Sequence, residues 1–187
     1  MSSIHNHNFS SKLLITSDND LKTYLKRMPN NCITLVGNGK HILHFNNIKL
    51  LSTTDIKNKK LVIILNTKRS DDTTNTAGHW IVLLINKQKK CLFIDSLNKG
   101  KTTPASNEVI NTVKTFCIKH NLHFINWKTR SQCRLSQACG FIILFYINLF
   151  AKHGIPAFEK LKKMFLNYSI HKREYYVLKK VFQLCIT

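Results

Sequence analysis

Acidic residues are scarce in this chain of 187 residues: nine Asp and Glu stand against 29 Lys and Arg, for a formal charge of +20. The excess is +8 over residues 1–95 and +12 over residues 96–187, so it is not confined to a basic tail. A field of this sign attracts polyanions and speeds their association. The charge therefore indicates affinity for nucleic acid, with a solvated surface shaped by AT-rich coding as the alternative.

Long apolar runs and paired cysteines are also missing. The longest apolar run, Phe141–Ile147, is far shorter than the roughly 20 residues that span a bilayer. The first 12 residues are polar, unlike a secretory signal peptide. None of the six cysteines forms a CxxC pair, which disfavours a zinc or disulfide framework. We expect no membrane segment, no secretion and free thiols in a reducing compartment.

Glycine and proline are few, at six and three residues, and neither repeats nor linkers are evident. The length fits one domain over residues 1–187, with residues 1–11 as a flexible start. A core of this size buries about 70% of the unfolded chain's surface, so stability requires no metal or cofactor. We expect a monomer.

Three continuous apolar runs predict strands that are covered on both faces: Leu61–Leu65, Trp80–Ile85 and Cys91–Ile94. The last two runs flank a polar turn and predict a buried hairpin. Further strands are predicted at Cys32–Val36 and His41–Phe45, around a turn at 37–39, and at His123–Trp127. Helices are predicted at Ser17–Met28, Ala105–His120, Ala138–Ala151, Ala157–Leu166 and Glu174–Leu184. The fold class is α+β, with a central mixed sheet flanked by helices.

Cys139 is the candidate nucleophile. It stands at the start of the strongly apolar helix, between Ala138 and Gly140. The partial positive charge of a helix N-terminus lowers a thiol pKa, and small neighbours let a substrate backbone approach. The alternative is a buried structural cysteine.

His79 and Asp95 are the candidate base and its orienting acid. His79 precedes one hairpin strand and Asp95 follows the other, so both lie at the same end. We expect the carboxylate to accept the imidazole Nδ1–H, fix the tautomer and stabilise the imidazolium. A surface histidine, a turn aspartate, and Asn98 as the orienter are the alternatives.

Gln132 lies seven residues before Cys139 and is the candidate oxyanion donor, together with the Cys139 backbone N–H. A surface glutamine is the alternative. Trp80 is expected either to wall the site beside His79 or to begin the core strand. The close pairs His120–His123 and His5–His7 lack a supporting cysteine motif, so no metal site is predicted.

The order of these motifs resembles that of the adenain-like (adenovirus-type) viral maturation proteases. The motifs are Gly78-His79-Trp80, the acid 16 residues after the histidine, and Gln132-x6-Cys139-Gly140. The same pattern is similar to the wider clan that includes the SUMO and ubiquitin-like-protein proteases. The match covers about residues 60–153. The resemblance implies a papain-like, adenain-like fold with a cysteine nucleophile at the start of a buried helix. We expect three further residues to line the substrate site: Gly78, Trp80 and Gly140.

This resemblance implies a viral cysteine endopeptidase that cleaves capsid and structural precursors during virion maturation, after Gly-Gly or Ala-Gly. It would act in the virion and infected cell, with DNA as a possible activator. No cysteine stands where the family's activating peptide forms its disulfide. The alternatives are a deubiquitinase or deSUMOylase, and a basic nucleic-acid-binding module, for which no helix-turn-helix, zinc finger or RNP-like run is evident.

Overall fold

The computed structural model describes residues 18–27, 34–35, 42–56, 60–74, 78–98, 105–134 and 136–186. Six strands in these ranges form one mixed sheet: β1 (Thr34–Leu35), β2 (Ile42–His44), β3 (Leu61–Asn66), β4 (Trp80–Ile85), β5 (Lys90–Ile94) and β6 (His123–Trp127). Six α-helices accompany them: α1 (Asp18–Arg27), α2 (Thr53–Ile56), α3 (Asn107–Lys119), α4 (Cys139–His153), α5 (Pro156–Leu166) and α6 (Ile170–Ile186). The predicted α+β class with a mixed sheet is confirmed.

The sheet runs in the order β1-β3-β4-β5-β6, with β2 also against β3. The neighbours β3–β4 and β4–β5 are antiparallel, whereas β5–β6 is parallel. The short strands β1 and β2 follow one another along β3, both parallel to it. They therefore do not pair around a turn, and the predicted turn at 37–39 lies outside the described residues.

Two hydrophobic cores cover the two faces of the sheet. Because side chains alternate along a strand, β4 sends Trp80, Val82 and Leu84 to one core and Ile81, Leu83 and Ile85 to the other. The first core contains α4, α5 and α6, and the second contains α3. Burial on both faces explains why β3 and β4 are apolar at consecutive positions, and it confirms the predicted buried hairpin.

Helix α4 lies against β4 on one side and against α6 on the other. Contact on two sides accounts for its almost continuous apolar sequence. The helix ends at Gly154, whose φ of 69° lies in the left-handed region that glycine adopts without strain. Pro156 then occupies the first turn of α5, where a missing N–H costs no helical hydrogen bond.

The structure adds two short elements that the sequence did not reveal: a 3₁₀ helix at Phe45–Leu50, and α2. Each is too short to show a helical period. Helix α6 begins at Ile170 rather than at the predicted Glu174, because its first turn is mostly basic and carries no apolar pattern. None of the helices in the described ranges combines the length and the apolar character that a membrane span requires.

Candidate active site

Three chain segments converge at the start of α4. The antiparallel register of Val82 with Ile94 brings His79, just before β4, and Asp95, just after β5, to the same end of the hairpin. Helix α4 packs against β4 and begins with Cys139 at that end. Sheet register and helix packing therefore bring together three residues that are distant in sequence.

The imidazole of His79 is held by the carboxylate of Asp95. Its Nε2 lies 2.8 Å from Asp95 Oδ1. The Asp95 side chain is fully buried, and the His79 side chain is 17% exposed. Backbone N–H groups of Leu97 and Ala105 donate to Oδ1 and Oδ2 at 2.9 and 3.2 Å. Three donors thus fix the position of the acid that orients the ring.

The ring nitrogen that meets the acid is Nε2, so the expectation of Nδ1 was wrong. His79 also hydrogen-bonds to the Cys139 thiol. The two ring nitrogens point in different directions. With Nε2 occupied by Asp95, Nδ1 is the nitrogen left for the sulfur.

The pKa values of base and thiol move in opposite directions. Burial alone disfavours the imidazolium, but the hydrogen bonds and charges of Asp95 and Cys139 outweigh it and raise the pKa of His79 to about 9. Burial also disfavours the thiolate of Cys139, yet the His79 hydrogen bond and charge, with the backbone groups of Trp80 and Gly140, lower its pKa. Both shifts act in the same sense: they favour a proton on the ring over a proton on the sulfur.

Asn98, the alternative orienter, has its amide directed elsewhere. Its Nδ2 donates to Asn126 Oδ1 at 2.8 Å and to the carbonyl of Trp127 at 2.9 Å. These bonds tie the turn after β5 to β6. Asp95, rather than Asn98, makes the hydrogen bond to His79.

Gln132 is buried, with 1% of its surface exposed, so the alternative of a surface glutamine was wrong. Its Oε1 accepts the hydroxyl of Ser96, and its Nε2 donates to the carbonyl of Ser136 at 2.7 Å. Its backbone N–H donates to the Ser96 carbonyl at 3.0 Å. Since Ser96 follows Asp95 directly, Gln132 is attached to the segment that carries the acid.

The three residues expected to line a substrate site have different surroundings. Trp80 is 6% exposed and packs in the core beside α4, so it begins the core strand. Gly78 lies against the side chain of Asn66, whose Oδ1 occupies the place where a Cβ would stand. Gly140 is buried in the first turn of α4. Of the three, Gly140 lies next to the candidate nucleophile in the chain.

Helix α6 braces the segment that carries Gln132, a role that the sequence did not suggest. Arg173 Nη1 donates to the carbonyl of Arg130 at 3.1 Å, and the Cys133 N–H donates to Glu174 Oε1 at 3.3 Å. Arg130 Nε donates to the carbonyl of Gln132 at 2.8 Å. The partners lie 41 to 43 residues apart, and no local pattern reports such pairings.

No cluster in the described part of the chain places three or more His, Cys, Asp or Glu side chains where they could hold a metal ion. Of the candidate pairs, His5–His7 lies outside the described residues, and His120 packs against Phe116 with ring centroids 4.7 Å apart. The side chains near the start of α4 offer a thiol, an imidazole, a carboxylate and an amide.

Comparison with models of known protein families found no match, and neither did a search of curated proteins.

Proposed function

We propose that this chain is a cysteine endopeptidase in which Cys139 is the nucleophile, His79 the general base and Asp95 its orienter. The observation that carries the proposal is the Asp95–His79 hydrogen bond of 2.8 Å beside a thiol that hydrogen-bonds to the same ring. Nucleophile, base and orienting acid in this order are what thiol acyl transfer requires.

The reaction proceeds in two halves. The Cys139 sulfur attacks the scissile carbonyl, and the imidazolium of His79 protonates the leaving amine as the C–N bond breaks. A thioester remains on Cys139. His79, now neutral, takes a proton from water as its oxygen attacks the thioester, and the C–S bond breaks. The carboxylic acid leaves, and the Cys139 thiolate and the His79 imidazolium are restored.

Two donors serve the oxyanion. The Cys139 backbone N–H belongs to the first turn of α4, where helical N–H groups have no helical acceptor. The Gln132 amide nitrogen carries two hydrogens, of which Ser136 accepts one. Each donor is worth about 3 kcal/mol of transition-state stabilisation.

The resemblance of the motif set to the adenain-like proteases supports the finer assignment: a papain-like active-site geometry in a viral maturation enzyme. Its substrates are capsid and structural precursors cut after Gly-Gly or Ala-Gly in the virion or infected cell. The charge of +20 supports assistance by DNA. A deubiquitinase or deSUMOylase is the second candidate, because the SUMO proteases also use an aspartate as the orienting acid.

Cleavage assays test both candidates. Wild type is incubated with capsid precursors, with ubiquitin-like conjugates and with Gly-Gly fluorogenic peptides, each with and without duplex DNA. We expect Cys139→Ala to abolish turnover with unchanged circular dichroism, while Cys117→Ala on α3, the matched thiol control, retains it. Turnover that survives in Cys139→Ala would refute the proposed nucleophile. The preferred macromolecular substrate decides between the two candidates.

A further inference from the structure

Ser96 makes three hydrogen bonds to the segment that carries Gln132. Its side chain is fully buried. Its hydroxyl donates to Gln132 Oε1, and its carbonyl accepts the N–H groups of Ser131 and Gln132 at 2.9 and 3.0 Å. The residue after the orienting acid is therefore also the partner of the candidate oxyanion donor.

These contacts leave the Gln132 amide one orientation. The Ser136 carbonyl can only accept a hydrogen bond, so the group 2.7 Å from it must be the amide nitrogen. Oε1 then faces Ser96, and because Oε1 can only accept, the Ser96 hydroxyl must donate. A flipped amide would set two carbonyl oxygens against each other at Ser136 and would replace the hydroxyl-to-carbonyl bond at Ser96.

We propose that Ser96 is a positioning residue that holds the Gln132 amide with its second N–H available to the developing oxyanion. The inference rests on the proposed protease function and adds a residue to it. A reversed amide would present a carbonyl oxygen to a negative charge and destabilise the transition state. Ser96 acts through Gln132 and touches neither the thiol nor the substrate.

The backbone and the side chain of Ser96 have separable roles. The backbone carbonyl holds residues 131 and 132 whatever side chain position 96 carries. The carboxylate of Asp95 has its own donors in His79, Leu97 and Ala105. Replacing the Ser96 hydroxyl by hydrogen therefore removes the donor to Gln132 Oε1 and leaves the acid–base pair with its partners.

Two reactions of Cys139 distinguish positioning of the oxyanion donor from a general structural role. Peptide cleavage passes through an oxyanion. Alkylation by iodoacetamide does not pass through an oxyanion, because the S–C bond forms as the C–I bond breaks and iodide leaves. Its rate depends on the fraction of Cys139 that is present as thiolate. For Ser96→Ala we expect kcat on a Gly-Gly peptide to fall about tenfold or more, with KM little changed. We expect the alkylation rate and its pH profile to stay as in wild type.

A double-mutant cycle and a conservative variant complete the test. Ser96→Ala should cost nothing further in a Gln132→Ala background, and Ser96→Thr, which keeps the hydroxyl, should retain most of kcat. Unchanged kcat in Ser96→Ala, an equal loss in both reactions, or full additivity with Gln132→Ala would overturn the inference. A wild-type chain that neither cleaves peptides nor is alkylated selectively at Cys139 would instead overturn the proposed function.

Discussion

Replacing Asp95 by Asn removes the charge that favours the imidazolium while keeping the shape of the side chain. The carboxylate accepts N–H groups from His79, Leu97 and Ala105. An asparagine side chain has one acceptor oxygen and one N–H2 group. Its N–H2 group must therefore face at least one of these three N–H groups, which places two donors against each other. Oδ1 accepts from both His79 and Leu97, so the amide oxygen is favoured in its place and the N–H2 faces the N–H of Ala105. The His79 ring then keeps a neutral acceptor and loses the negative charge that favours the imidazolium.

The magnitude follows from the pKa of His79, which the site raises from an ordinary 6.5 to about 9. This difference corresponds to about 3 kcal/mol in favour of the imidazolium. Asp95 supplies the largest favourable contribution and Cys139 the rest, against the opposing effect of burial. Because burial has already reduced the net shift, the contribution of Asp95 alone can be larger, and we take the figure as the scale of the effect: roughly a hundredfold or greater loss of the thiolate–imidazolium pair in Asp95→Asn.

Alkylation by iodoacetamide, followed by intact mass and peptide mapping from pH 5 to 10, measures the reactive thiolate at Cys139. We expect wild type to react faster at pH 6.5 than an ordinary thiol because its thiol pKa is lowered. In Asp95→Asn the rate at this pH should fall by about a hundredfold or more, and the midpoint of the pH profile should move up towards that of an ordinary thiol. Asp72→Asn, an exposed aspartate that caps the N–H of Thr74, is the matched control and should react as wild type.

The reasoning fails if Asp95→Asn keeps the wild-type pH profile while its circular dichroism is unchanged. In that case another group would set the charge of His79. A loss of the same size in Asp72→Asn would equally contradict it, because only the general charge of the chain would then matter.

Three further predictions concern stability, each measured by urea unfolding. Gly78→Ala should lose about 1–3 kcal/mol because a Cβ collides with Asn66, and Asn66→Ala in the same chain should recover part of the loss. Phe158→Ala should lose about 3–5 kcal/mol from the core beside α4, whereas Leu166→Ala, 73% exposed, should change stability by less than about 0.5 kcal/mol. Because the pKa of His79 is raised on folding, its charge stabilises the folded chain fully below pH 6.5, and this contribution is lost as pH rises through about 9. The free energy of unfolding of wild type should therefore exceed that of His79→Gln by less and less across this pH window. A constant or growing difference would contradict the raised pKa.

The hairpin and its two end residues could be predicted because the pattern that reports them is strong. Runs that are apolar at every position indicate strands buried on both faces, and β4 and residues 91–94 of β5 are such runs. Their common end follows from antiparallel pairing, which places His79 near Asp95 without knowledge of the rest of the fold. The start of α4 at Cys139 was likewise predicted to within one residue.

What could not be predicted depends on side-chain direction and on distant contacts. The choice of Nε2 over Nδ1 follows from the rotation of one ring, which no spacing encodes. Strand β1 has two residues, and its pairing with β3 joins positions 27 apart in the chain. The hydroxyl of Ser96 meets Gln132 across 36 residues, and serines are too common on surfaces for their position to be a signal.

The central claim is that one thiol in this chain is activated by an imidazole. A Gly-Gly peptide with a thiol-directed electrophile, added at pH 6.5 in modest excess with and without duplex DNA, tests it directly by intact mass and peptide mapping. We expect a single adduct on Cys139, its formation abolished by His79→Ala, with the buried Cys91 and Cys117 left unlabelled. An adduct spread over several cysteines, or labelling of Cys139 that is unaffected by His79→Ala, would contradict it.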